Sequence, residues 1–529
     1  MAAETRRRRQ RGDAADASSA EPPVTEKSAV DERGCMPGDR SSAHSESAPS
    51  TGSPGRRKQA SRFWQVLLLL SVGVALRLFL YSVGLTLPET TEPLVSPASA
   101  SFSSFREALT LQALSFSPYT GGVYRQQPLV FLSLKWITGA GQGEDENCNT
   151  GSCRWRYYLV LICIDLVAAI ALAAAAAEAR TWAMNLRQRT SPGSAAGSAQ
   201  GKARGPQRKE VPAASGERPP GEEVEEIIAS PALVAASYFL HPMTVGAILS
   251  LTIHTLPLAF FALALACATR GGMLSRWMCV AFFGCALFVG PPQAFLLALP
   301  LAHLMHAVRT QTVQRLDLLE VLPSLKKDIL PGLLRGVLLF VAGLAFCAIL
   351  HVASYFALRA YTADAADYFD STVIAVWEVR DLGPNLGIFW YILSLGHCFI
   401  LVVPLFVRMF RYPLAYCGAA IAIALLFQPF FCISDSAFLV TLLISRWDVV
   451  ERKVAFVKLI VVAFVAVSIY PVTTELWLGR NTGNPNFVYN IQIIFQIFMG
   501  FLILEWIKGV VLDRVFTSSG SVEKKEKTA

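Results

Sequence analysis

Asp165 stands inside an apolar run, Tyr157 to Glu178, that is long enough to cross a bilayer. A carboxylate in hydrocarbon is costly unless partnered, so it marks either an ion pathway or an ion pair. Arg77, inside the first apolar run, is a candidate partner. Other groups able to do chemistry collect where apolar runs begin. These are Asp381-Leu-Gly-Pro-Asn385, which leads into Phe389-Trp390-Tyr391; Ser434-Asp435; Asn481 to Asn486; Ser117 to Gly122; and Pro291-Pro292-Gln293. An amide both donates and accepts, so amides gathered with a carboxylate suit a lipid head group built of sugar and phosphate. Each group alone also reads as a helix cap, and Phe389, Trp390 and Tyr391 read as membrane-interface aromatics.

Nothing in this set reads as a catalytic centre. Glu89 and Glu92 follow the first apolar run without an Asp-X-Asp, and Asp364, Asp367 and Asp370 read as a solvated amphipathic turn. His241, His254 and His397 stand alone beside apolar runs and read as packed helix residues. There is no Walker loop, no Gly-rich dinucleotide loop and no metal-spaced Cys/His cluster, so no metal and no cofactor are expected. Of the eleven cysteines, Cys148 and Cys153 share a polar loop and can pair if that loop lies in an oxidising lumen.

The elements that must position these groups are membrane helices. The chain has 529 residues, 53% of them hydrophobic and 16% charged, with a mean hydropathy of +0.43. Soluble domains carry about 25% charged residues, so the composition is that of an all-α polytopic membrane protein. The net charge of +8 lies largely in a tail and loops and does not argue for nucleic acid. Residues 1–60 read as a disordered basic tail. Residues 61–180 hold a first spanning helix, a surface helix near Ser103–Phe116, a short run at Pro128–Ala140 read as interfacial or re-entrant, and a second spanning helix. Residues 181–229 form a flexible polar insertion, 230–512 a multispanning core, and 513–529 a tail. Several core runs fall below the roughly 20 residues of a straight span, so broken or half-helices are expected.

About twelve transmembrane segments, counted from a cytosolic N-terminus, put the basic loops at Arg270–Arg276, Arg309–Arg335, Arg408–Arg411 and Arg446–Lys458 on the cytosolic side. The polar mouths then fall on the lumenal side, and both termini are cytosolic. Lys525 and Lys527, third and fifth from the end, match a Lys-X-Lys-X-X retrieval address and read equally as a solvated tail.

Four blocks carry a resemblance. They are Phe105 to Leu129, with Ser117-Pro-Tyr-Thr-Gly; Cys163-Ile-Asp165-Leu with Ala169 to Leu172; Asp381 to Tyr391; and Asn484-Pro-Asn486-Phe487-Val-Tyr489. In this order they resemble the PIG-U family of glycosylphosphatidylinositol (GPI) transamidase subunits, over about residues 63–512. The resemblance implies a fold similar to lumenal multispanning, GT-C-like glycosyltransferases. It implies a non-catalytic subunit in the endoplasmic reticulum membrane that scaffolds the complex and helps present the GPI lipid. Implied partners are a caspase-like catalytic subunit, PIG-T-, PIG-S- and GAA1-like subunits, and the lipid itself. Asn484 and Asn486 become the foremost candidates for head-group contacts, with Asp381, Asn385, Ser434 and Asp435 behind them. The alternatives are a mannosyltransferase of the same pathway and a small-solute transporter.

Overall fold

In a computed structural model, the described residues are 54–85, 97–140, 148, 151–190, 228–310, 325–362, 364–375, 395–428, 431–452 and 454–526. All regular structure among them is helical. In chain order the main helices are α1 (Pro54–Ser82), α2 (Phe102–Ala113), α3 (Pro128–Thr138), α4 (Gly151–Thr190), α5 (Pro231–Phe239), α6 (Pro242–Leu249), α7 (Thr255–Ala268) and α8 (Met273–Val289). They continue as α9 (Ala298–Thr310), α10 (Leu330–Arg359), α11 (Leu395–Met409), α12 (Pro413–Leu426), α13 (Ile433–Ile444), α14 (Val454–Thr474) and α15 (Pro485–Glu526).

Five of these helices are long and apolar enough to cross a membrane: Phe63–Ser82, Gly151–Asn185, Lys326–Arg359, Lys458–Gly479 and Pro485–Val511. The bent pair α5–α6 makes a sixth if it is counted as one span. The other apolar runs form shorter helices, and a bilayer demands that any interrupted span shelter its backbone ends in protein. Helix α12 shows this best, being buried along almost its whole length. It packs on α9, α13 and α15, while α14 and α15 pair along their length. Helices α8 and α10 approach closely at Gly343, where a Cβ would stand 2.4 Å from the Phe283 ring. A small residue at such a crossing lets two helices close on each other.

A second, smaller cluster is aromatic. It joins α2, α3, the start of α4 and α6 through Phe105, Phe131, Tyr157, Tyr119 and Tyr124. Helix α2 does not lie free on a surface: Ser101 caps it, and Phe105 and Leu109 are buried in this cluster. Its other end, Leu114 and Phe116, is exposed. Helix α3 spans eleven residues, too few to cross, and ends at Gly139 in the left-handed region. Asp364, Asp367 and Asp370 are exposed on a helical turn, with Tyr368 buried between them. Helix α4 runs to Thr190, past the expected start of the insertion at 181, and α15 continues to Glu526 through what was read as the tail.

Candidate functional site

The break between α5 and α6 leaves carbonyls without helical partners, and Arg77 supplies one of the donors. Pro242 has no N–H and starts α6, and the two helices bend by 44°. Arg77 Nη1 donates to the Phe239 carbonyl at 2.6 Å, while the Thr244 hydroxyl donates to the Tyr238 carbonyl at 2.7 Å. The Arg77 guanidinium stands 3.9 Å from the centre of the Phe239 ring. Its Nη2 donates to Asp165 Oδ2 at 2.5 Å, with both side chains fully buried. Tyr158 donates its hydroxyl to the Arg77 carbonyl at 2.7 Å. The intramembrane carboxylate and the first-helix guanidinium thus form an ion pair, and the guanidinium also holds a broken helix together.

A second buried carboxylate lies at the start of α13. Asp435 Oδ2 accepts from the Cys432 amide at 2.8 Å, from the Gln428 side-chain amide, and from His254 Nε2 at 2.9 Å. Cys432 and Asp435 form a reciprocal capping box, so the carboxylate starts its own helix. His254 arrives from the start of α7, which corrects the reading of it as an isolated packed residue. Close by, Phe431 packs on Phe495 of α15, and Gln293 donates to the Phe427 carbonyl at 3.1 Å. The Ser434 hydroxyl and Asp435 Oδ1 are buried without a hydrogen-bond partner.

The ligand atoms of His254, Cys432 and Asp435 lie within 4.8 Å of one another, a constellation of metal-binding and nucleophilic types. Asp435 Oδ2 faces three hydrogen-bond donors, while Oδ1 has none. A nucleophilic thiol needs access, and Cys432 is fully buried. The arrangement is a polar network that ties the α12–α13 break to α7.

The other expected residues fall elsewhere. Asn484 Oδ1 accepts from the Asn486 amide at 2.9 Å, and the Asn484 carbonyl accepts from Phe487, so these two build the first turn of α15. Both side chains are exposed. Phe495, which meets Phe431, lies ten residues beyond Pro485, or about 15 Å along a helix axis. The exposed Asn484–Asn486 turn and the buried Ser434-Asp435 pair therefore stand at different depths along α15. The turn at Ser117–Gly122 forms, and the buried Tyr119 hydroxyl donates to the Gln126 carbonyl at 2.9 Å. Burial pushes the Tyr119 and Tyr124 phenols well above their ordinary range, so both keep their protons. Cys148 and Cys153 are joined by a disulfide with a Cα separation of 5.3 Å. Asp381, Asn385, Phe389, Trp390, Tyr391 and Lys527 lie outside the described residues; Lys525 falls in the last turn of α15.

Sequence reasoning missed His254 as a partner of Asp435, because 181 residues separate them. The one local signal was its position at the head of an apolar run.

A family model described as "GPI transamidase subunit PIG-U" matches residues 71–495. Curated relatives named "GPI-anchor transamidase component PIGU" align over 169 residues, at 24% identity in Cricetulus griseus, 23% in Mus musculus and 22% in Homo sapiens. Each alignment covers 29% of this chain and 39% of the relative.

Proposed function

Because the chain belongs to the PIG-U family of GPI transamidase subunits, we propose that it is a non-catalytic membrane subunit of that complex. It scaffolds the assembly and helps present the GPI lipid for attachment to precursor proteins in the lumen of the endoplasmic reticulum. Catalysis falls to a caspase-like subunit, and PIG-T-, PIG-S- and GAA1-like subunits complete the complex. In this reading about twelve crossings, some made by the short buried helices, give a GT-C-like body with both termini in the cytosol. Lys525 and Lys527 serve as a retrieval address.

The observation that carries the scaffold reading is that the two aspartates fully buried among the described residues are engaged in holding helix breaks. Asp165 is taken by Arg77, and Asp435 by its own capping box, Gln428 and His254. Polar groups available to a head group are then those at exposed turns. Asn484 and Asn486 stand first, with Asp381 and Asn385 as further candidates. Ser434 and Asp435, being buried, brace the site from within.

The test is the pair Asn484→Ala with Asn486→Ala. We expect reduced GPI attachment to a reporter precursor while the chain still co-purifies with a caspase-like subunit. Normal attachment by the double variant would sink the head-group role. Failure to co-purify, already in the unsubstituted chain, would sink the complex itself.

A further inference from the structure

Helices α4 and α7 pack along their lengths but leave a groove on their outer side, closed at one end by Ile137 of α3. Its volume is about 490 Å³. Cys163 and Val167 from α4 and Leu256, Phe260 and Leu263 from α7 line it, an almost wholly apolar set. Val167 is 41% and Ile137 44% exposed, so the groove opens sideways, towards lipid.

Its one charged lining residue is Arg156, in the second turn of α4. The guanidinium is seated at the end of α3: Arg156 Nη1 donates to the Thr138 carbonyl at 3.3 Å. Gly139 makes the space, since a Cβ there would stand 2.6 Å from Arg156 Nη1. Height follows from length. The candidate span Gly151–Asn185 measures about 50 Å, against about 30 Å for a hydrocarbon core, so its ends stand in the head-group layers, and its apolar run begins only at Tyr157. Arg156 is therefore at phosphate height, while Cys163, Val167 and the α7 side chains run into the hydrocarbon.

We propose that this groove seats one anionic glycerophospholipid of the bilayer, with an acyl chain against α4 and α7 and its phosphate on Arg156. A guanidinium suits phosphate because its forked donors match the phosphate oxygens. This seat is separate from the Asn484–Asn486 turn and does not depend on the GPI reading.

The test uses the purified complex containing the full chain, reconstituted in phosphatidylcholine vesicles with a phosphatidylserine carrying a photoreactive acyl chain. Adducts should map to α4 around Tyr157–Val167 and to α7 around Leu256–Leu263. Unlabelled phosphatidylserine should compete, and added phosphatidylcholine should not. Arg156→Glu should cut this labelling about ten-fold, the loss of one charge-assisted contact, while Arg156→Lys keeps most of it. Labelling that is equally strong on the exposed face of α10, or that is unchanged in Arg156→Glu, would overturn the proposal. So would competition by purified GPI but not by phosphatidylserine, which would make the groove part of a GPI site.

Discussion

Asp165 and Asp435 are both fully buried, yet they are held by different kinds of partner. Asp165 faces a guanidinium, and that guanidinium also donates to the carbonyl freed at the α5–α6 break. Asp435 faces one histidine, one side-chain amide and its own helix-start amide. The first is a charge pair between two long-separated helices. The second is a helix cap whose carboxylate also makes an ion-pair contact with a distant histidine. A lone buried charge is far more costly than a lone buried dipole, so the two sites should fail differently when one partner is removed.

The largest effect is expected at the first site. Asp165→Leu leaves Arg77 charged and unpaired in the interior and should cost about 3–5 kcal/mol, seen as loss of the folded chain in fluorescence-detected size exclusion. Asp435→Ala removes the shared acceptor of three donors and should cost about 2–3 kcal/mol, measured as a lower melting temperature in detergent. The paired change Arg77→Met with Asp165→Leu should recover most of the loss of the single change. A residual of about 1 kcal/mol or more should remain because the Phe239 carbonyl loses its donor. Full recovery would show that capping the α5–α6 break contributes nothing. Asp435→Asn keeps the acceptor oxygen and should be the mildest, at about 1 kcal/mol. If Asp435→Asn were instead as damaging as Asp165→Leu, the His254 contact would carry the second site as the Arg77 pair carries the first, and the distinction between them would fall.

The same contrast governs what could be read in advance. Asp435 stands with Ser434 at the head of an apolar run, and that position makes it a cap candidate. Its histidine could not be read, because a contact across 181 residues leaves no trace in local periodicity. Arg77 and Asp165 were each conspicuous as charges within apolar runs, but their meeting depends on α1 and α4 converging on the α5–α6 break. Helix α2 shows the same limit. Its apolar positions were legible, but not whether they would face lipid or, as found for Phe105 and Leu109, protein.

The sequence by itself determined that this is a helical membrane protein, where its apolar segments lie, and that its blocks follow the PIG-U order. Hydrophobicity, residue period and motif order are carried by neighbours along the chain. Only the tertiary structure decided which polar groups meet, which short helices are sheltered, and where a groove with one arginine opens toward lipid. Those depend on how helices far apart in the chain cross, and close packing of particular side chains sets that geometry.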